Sequence, residues 1–141
     1  MISSRRELAA ALPALLKSSQ PQAQEGQRVP SKVYVFDKLA VRHTDAVDYR
    51  AIVDGKTIDG CKFSVHESAL APNNEPHPAH HHNGEEMFIM VDGTLEVTIN
   101  GKASKISKGS VAFIGSGDQH GIRNVGATPA KYFVIELGPQ R

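Results

Sequence analysis

The sequence predicts an all-β fold, antiparallel strands closed into a barrel or jelly roll, preceded by an N-terminal segment of different character. Three observations carry this. From Val33 onward, short alternating segments are broken by turn dipeptides at a spacing of roughly 8–12 residues, as in sandwiches and barrels. Twelve Gly, eight Pro and 40% apolar residues suit a loop-rich β domain better than a helical bundle or a disordered chain. Asp92-Gly93 and Asn100-Gly101 are both dipeptides that two-residue hairpins favour. At 141 residues the chain has the length of one domain. A chain of that size buries about 68–70% of its unfolded surface, enough for a real core.

Charge and cysteine content exclude several classes. Sixteen Lys+Arg against 15 Asp+Glu leave a formal charge of +1, which provides no basic face for nucleic acid. One cysteine, Cys61, rules out an intramolecular disulfide and a four-cysteine zinc site. No apolar run approaches the roughly 18 residues of a membrane span, so neither nucleic acid nor membrane is expected as a partner.

Residues 1–30 form the N-terminal segment, and 31–141 the domain. Two readings of the segment compete. Arg5-Arg6 before the apolar stretch Leu8–Leu16 resembles a twin-arginine export signal, with Ala23 near a cleavage point. That reading makes the protein periplasmic or secreted. Alternatively, Ser4 and Glu7 form a capping box, and Leu8, Leu12, Leu15 and Leu16 recur at helical spacing. An ordinary amphipathic helix leaves the protein cytoplasmic. Either way, Ser18 to Pro30 reads as a linker.

Val33–Phe36 reads as a first strand. Tyr49–Val53 reads as a second, closed by Asp54-Gly55, and Lys62–Glu67 as a third. Ala71 to Pro78, with three prolines and two asparagines, is a loop. A hairpin at Asp92-Gly93 pairs Met90 with Leu95, Phe88 with Val97 and Glu86 with Ile99. A second at Asn100-Gly101 pairs Ile99 with Lys102, Glu96 with Lys105 and Leu95 with Ile106. With side chains alternating, one face collects Glu86, Phe88, Met90, Leu95, Val97, Ile99 and Ile106. Glu86 is thus a carboxylate on an inward, apolar face, and an unpaired buried charge costs several kcal/mol. It needs a partner.

The stretch His77-Pro78-Ala79-His80-His81-His82-Asn83-Gly84-Glu85-Glu86 offers one. In extended chain His80 and His82 point the same way, and with a turn at Asn83-Gly84 both converge on Glu86. Imidazoles and a carboxylate suit one divalent ion such as iron, manganese, nickel, copper or zinc, which also neutralises Glu86. The other register, His81 with Glu85, lacks a second histidine, because positions 79 and 83 are Ala and Asn. The competing reading is a solvated histidine loop beside an exposed Glu-Glu pair.

These residues resemble the cupin superfamily. His80, His82, Glu86 and Gly93 fall in register with its first motif, H-x-H-x3-E-x6-G. Gly109, Gly117, His120 and Asn124 match its second, G-x5-P-x-G-x2-H-x3-N, with Gly115 where the motif has proline. Losing the fixed φ makes that turn more pliable without touching ligation. With the flanking strands, the resemblance runs over residues from about 33 to 138 and points to a small single-domain cupin. It implies a double-stranded β-helix of six or more antiparallel strands with a metal near one mouth. The implied ligands are His80, His82, Glu86 and His120; a lone histidine after Gly117-Asp118-Gln119 would otherwise read as a loop residue. Four ligands leave two positions of an octahedral ion for water, substrate or dioxygen.

The resemblance therefore implies a mononuclear metal enzyme acting on a small organic molecule in the barrel, with Phe88, Met90, Leu95, Val97 and Ile99 lining the pocket. Cupins include dioxygenases, isomerases, decarboxylases and lyases, so the fold does not choose the reaction. A non-catalytic binding or sensing module, or a structural metal with an interaction role, are the alternatives. Met87, Ile89 and Val91 on the outer side of the Glu86 strand call for cover, and with the resemblance they point to a homodimer. His43 and the strip Lys102, Lys105 and Lys108 read as surface, Cys61 as a small hydrophobe, and Arg50 and Arg123 as exposed ion-pairing residues. His77 reads as a loop residue near the cluster, and His66 faces either solvent or the barrel.

Overall fold

Alternating apolar residues become nine strands in the computed structural model, which describes residues 27–140. They are β1 (Arg42–His43), β2 (Val47–Lys56), β3 (Cys61–Leu70), β4 (Glu85–Asp92), β5 (Thr94–Ile99), β6 (Lys102–Ser107), β7 (Val111–Ile114), β8 (His120–Asn124) and β9 (Ala130–Gln140). A single 3-10 turn, Phe36–Lys38, precedes them. Two antiparallel sheets result, one ordered β1-β2-β3-β9-β4-β7 and one ordered β6-β5-β8. They pack face to face as an all-β jelly roll, in agreement with the expected fold class. The N-terminal signal or helix reading falls outside the described residues.

The core lies between the sheets. Leu70, Phe88, Met90, Ile114, Tyr132 and Val134 come from the larger sheet, and Leu95, Val97 and Ile122 from the smaller. Each fully buried aliphatic or aromatic side chain contributes about 1.5–3 kcal/mol relative to exposure. Ile99 and Ile106 are half-buried against this cluster. The inward face read from alternation is therefore the real one.

The strand pairing that produces it differs from the expected one. Asn100-Gly101 is a hairpin turn, with Ile99 opposite Lys102, Glu96 opposite Lys105 and Leu95 opposite Ile106. Both central residues have positive φ, 47° at Asn100 and 81° at Gly101, as a type I′ turn requires. Asp92-Gly93 is not one. β4 pairs with β7 and β9, and β5 pairs with β6 and β8. Met90 thus lies beside Tyr132 and Phe88 between Val134 and Ala112, not beside Leu95 and Val97. Of that dipeptide only Gly93 has positive φ, at 78°, and there the chain crosses from one sheet to the other. A Cβ at Gly93 would stand 2.8 Å from Ala130 Cα, so the crossing is tight. Inward apolar faces on both arms fit side-by-side pairing and face-to-face packing equally well. Alternation cannot separate the two.

Two further elements are corrected. Val33–Val35 is not a strand, and Val33 and Val35 are exposed. The run pairs with no strand; β2 is flanked on its outer side by β1 at one end and by the bridge Arg28–Lys56 at the other. Asp54-Gly55 does not close β2, which continues to Lys56. Gly55 is buried where the chain at Gln27 passes over it, and a Cβ there would meet Gln27 O at 2.6 Å. The Ala71–Pro78 segment is a loop as expected, tied to β8 by Asn73 N–H donating to Asn124 O at 3.0 Å.

Candidate metal centre

Three neighbouring imidazoles are set by backbone contacts between distant segments. His80 and His120 exchange both amide hydrogen bonds, His80 N to His120 O at 2.9 Å and His120 N to His80 O at 2.8 Å. That bridge extends the smaller sheet by one residue pair and holds the two rings 4.7 Å apart, centroid to centroid. His82 O accepts from Gly117 N at 3.0 Å, and Gly84 N–H donates to Ser116 Oγ at 3.1 Å. The turn carrying Gly115 is closed by Asp118 N donating to Gly115 O at 3.1 Å. Hydrogen bonds thus fasten the loop where the motif uses a proline ring. Gly84, with φ 117°, lies against Leu137 O, where a Cβ would come within 2.8 Å, and lets the chain turn into β4.

Alternation does the rest. His81 is exposed, while His80 and His82 turn inward with ring centroids 5.4 Å apart. The ligand atoms of His80, His82 and His120 all lie within 4.8 Å of one another. Glu86, buried on the inner face of β4, brings Oε2 to 2.8 Å from His120 Nε2 and 3.6 Å from His82 Nε2. The four residues singled out from the sequence are drawn together, three as one imidazole group and Glu86 against two of its members.

The chemistry of these atoms tests whether a cation fits. His120 Nδ1–H donates to the carbonyl oxygen of Asp118 at 2.9 Å. In the neutral ring that fixes the tautomer, so that Nε2 carries no proton and presents a lone pair. It faces Glu86 Oε2, which is also an acceptor, and neither atom has a hydrogen-bond partner; His80 Nδ1 is likewise buried without one. Two lone pairs at 2.8 Å repel unless something positive lies between or beside them. A divalent ion between them would meet the Nε2 and Oε2 lone pairs together, and the Asp118 carbonyl would be the outer contact that orients a ligating histidine. The group fits a metal.

Electrostatics agree. Burial, together with Glu136, raises the Glu86 carboxyl above its ordinary range, and His120 and His82 oppose the shift. Burial first, then the neighbouring imidazoles of His77, His120 and His82, lower the pKa of His80. Its ring is kept neutral, the form that ligates.

The other candidates separate cleanly. Phe88, Met90, Leu95 and Val97 are core residues and Ile99 packs against them, whereas a cleft of about 260 Å³ at the mouth is lined by other residues, among them Lys62, His82, Gly84 and Glu136. His77 is exposed but lies edge-on to His80 at 4.4 Å. His43 is at the surface, as expected, with Asp48 Oδ1 2.7 Å from its Nδ1. His66 turns to the inner side, its ring 4.6 Å from that of Tyr49. Arg50 is tied to the buried Glu67 at 2.9 Å, and Arg123 is exposed; neither joins the inward cluster. Reading the residues missed Glu136. It stands opposite Glu86 on β9 and accepts from Ser64 Oγ at 2.8 Å. β9 is apolar on both faces, Tyr132 and Val134 on one and Phe133 and Ile135 on the other, so alternation gave no way to orient it.

Comparisons with known proteins now bear on this geometry. The chain is 30% identical over 77 residues to mannose-1-phosphate guanylyltransferase of Escherichia coli, a match covering 55% of this chain and 16% of that enzyme. The chain therefore corresponds to only a small part of that relative. It is 20% identical over 124 residues to the tetracenomycin polyketide synthase protein TcmJ of Streptomyces glaucescens, covering 88% of this chain and 82% of that one. Its fold is similar to that of the polyketide cyclase RemF of Streptomyces resistomycificus, with a TM-score of 0.65, 17% identity, and coverage of 78% of this chain and 81% of that one. The family model described as "Cupin domain" matches residues 66–136. That match takes in half the chain, with every residue of the imidazole group inside it, and the chain belongs to the cupin family.

Proposed function

We propose that this cupin is a mononuclear metal-dependent enzyme acting on a small organic molecule at the mouth of the barrel. His80, His82, His120 and Glu86 would hold one divalent ion of iron, manganese, nickel, copper or zinc. The observation that carries the reading is the convergence of three imidazoles whose ligand atoms lie within 4.8 Å of one another, with Glu86 Oε2 2.8 Å from His120 Nε2. A bound divalent ion supplies Lewis-acid polarisation to a substrate oxygen. The protein's part is to keep His80 neutral by burial and to hold Glu86, buried on β4 beside Ile114 of β7, against the imidazoles. Two similar proteins carry polyketide in their names, and polyketides are rich in carbonyl and enol oxygens that chelate such an ion.

The test is elemental analysis of protein purified without an affinity metal, then cobalt substitution and a screen of β-diketone and phenolic compounds. About one equivalent of metal, a perturbed cobalt spectrum and a new product by mass spectrometry are expected. Absence of metal uptake would overturn the metal-centred reading, and spectral change without product would leave a binding module.

A homodimer belongs to the same proposal. Val111 and Phe113 are exposed beside Met87, Ile89, Phe133 and Ile135 on the outer face of the larger sheet, an apolar patch that a second copy would cover. Light scattering of wild type and Phe113→Asp checks it: the variant should run at half the mass. Export by the twin-arginine route, supported by Arg5-Arg6, is checked by N-terminal sequencing of native material, where an intact Met1 or Ile2 rules it out.

A further inference from the structure

The inner wall carries an acidic group that the metal centre does not use. Glu136 lies between β3 and β4, with Ser64 opposite it on one side and Glu86 on the other. In antiparallel sheets directly opposed residues share a face, so all three look inward. Ser64 Oγ donates to Glu136 Oε2 at 2.8 Å, which fixes the carboxyl group and leaves the other oxygen without a partner among the described residues. No lysine or arginine among them forms an ion pair with Glu136; the pairs present involve His43, Arg50, His82 and His120. Lys62 stands at the lip, exposed. Behind lies His66, whose burial lowers its pKa, so it supplies no compensating charge at neutral pH. The cleft of about 260 Å³ joins Glu136 to His82 and has room for one small ring.

Charge balance gives the selectivity. A divalent ion, Glu86 and Glu136 sum to zero while the imidazoles are neutral, and Lys62 and Glu85, which also line the cleft, offset each other. A neutral ligand keeps that balance, and a hydroxyl on it can donate to the second oxygen of Glu136. A ligand carboxylate leaves a surplus negative charge beside Glu136 in a partly dehydrated cleft.

We infer that Glu136, steadied by Ser64, receives the part of the substrate that is not at the metal and selects neutral, hydroxyl-bearing molecules over carboxylates. This rests on the metal-centred reading above. Three matched probes test it on the cobalt-loaded protein, read from its visible spectrum. All are 5-hydroxy-4-pyranones that chelate through the same two oxygens, carrying at carbon 2 a hydroxymethyl, a methyl or a carboxylate group. Wild type should bind the hydroxymethyl probe about tenfold tighter than the methyl probe, and the carboxylate most weakly. In Glu136→Gln the carboxylate should gain roughly tenfold and the hydroxymethyl preference should shrink. Ser64→Ala, which removes only the steadying hydroxyl, should shrink the same preference by a few-fold while cobalt uptake is unchanged. Equal binding of the three by wild type, or a Glu136→Gln protein that keeps the wild-type order, overturns the assignment of Glu136 but leaves the metal centre standing. Failure of the wild type to take up cobalt overturns both. Should Glu136→Gln fail to fold, a hydroxymethyl preference undiminished in Ser64→Ala overturns the assignment.

Discussion

His120 and Asn124 begin and end the same short strand, both are buried, and they treat their polar atoms in opposite ways. Asn124 sits at the closed end of the sandwich with its capacity met. Its Nδ2 donates to Leu70 O at 2.8 Å and Thr128 O at 2.9 Å, and its Oδ1 accepts from Gly126 N at 2.8 Å. At the open end His120 meets half of its capacity: Nδ1 is bound to Asp118 O, and Nε2 faces another acceptor with no partner. Leaving a buried polar group unpaired costs about 1–3 kcal/mol. A fold that satisfies Asn124 so fully has the means to satisfy His120. The proposed metal accounts for that difference: the open end would be completed by an ion, whereas the closed end is complete in itself.

The largest effect expected is on metal affinity at the open end. His120→Ala removes one ligand and the inner anchor of the site, and zinc affinity measured by competition with a chelator should fall at least about 100-fold. Folding should survive, because the removed ring was itself incompletely satisfied. An affinity within threefold of wild type would break the contrast between the two ends.

Asn124→Ala should reverse that pattern. It strands the buried Leu70 carbonyl and breaks two half-buried contacts, at Thr128 O and Gly126 N, so stability should drop by about 3 kcal/mol, roughly 10 °C in melting temperature. Zinc affinity at a temperature where the variant is folded should stay within about threefold of wild type. A large loss of zinc binding would mean that the closed end is coupled to the site and that the two ends are not separable.

The two ends were not equally legible from the sequence. Period-2 alternation placed Glu86, Phe88, Met90, Leu95 and Val97 on one face, and the structure buries all five. The same alternation is blind to which strands are neighbours. Asp92-Gly93 and Asn100-Gly101 look alike as dipeptides, yet only the second has positive φ at both residues and makes a hairpin. Deciding between them needs the partners of β4, and these are β7 and β9, far along the chain. His80 and His82 were legible because histidines at period 2, just before an inward Glu86, bring three ligating groups to one side of the chain. His120 was legible by family resemblance alone, since its tautomer and its bridge to His80 exist only in three dimensions. Val33–Phe36 failed for a related reason: strand propensity becomes a strand only where a partner pairs with it, and this run has none in the sheets.

A smaller effect, with a sign that depends on both metal and pH, probes the contrast most finely. Glu86→Gln keeps shape and replaces a carboxylate by an amide whose N–H can donate to His120 Nε2. Burial raises the folded-state pKa of Glu86 above its ordinary value of about 4.5. The folded chain therefore binds this proton more tightly than the unfolded chain. Between 4.5 and the raised value, ionising Glu86 makes the metal-free fold progressively less stable as pH rises, and above that window the penalty is complete. Gln never ionises and escapes it. Without metal, then, Glu86→Gln should melt above wild type at pH 8, by about 1–2 kcal/mol, and level with it near pH 4. With saturating zinc the order should invert at pH 8, because on the proposed reading the carboxylate ligates the ion. A variant less stable than wild type at pH 8 both with and without zinc would show that Glu86 is satisfied within the protein. The open end would then be no different from the closed one.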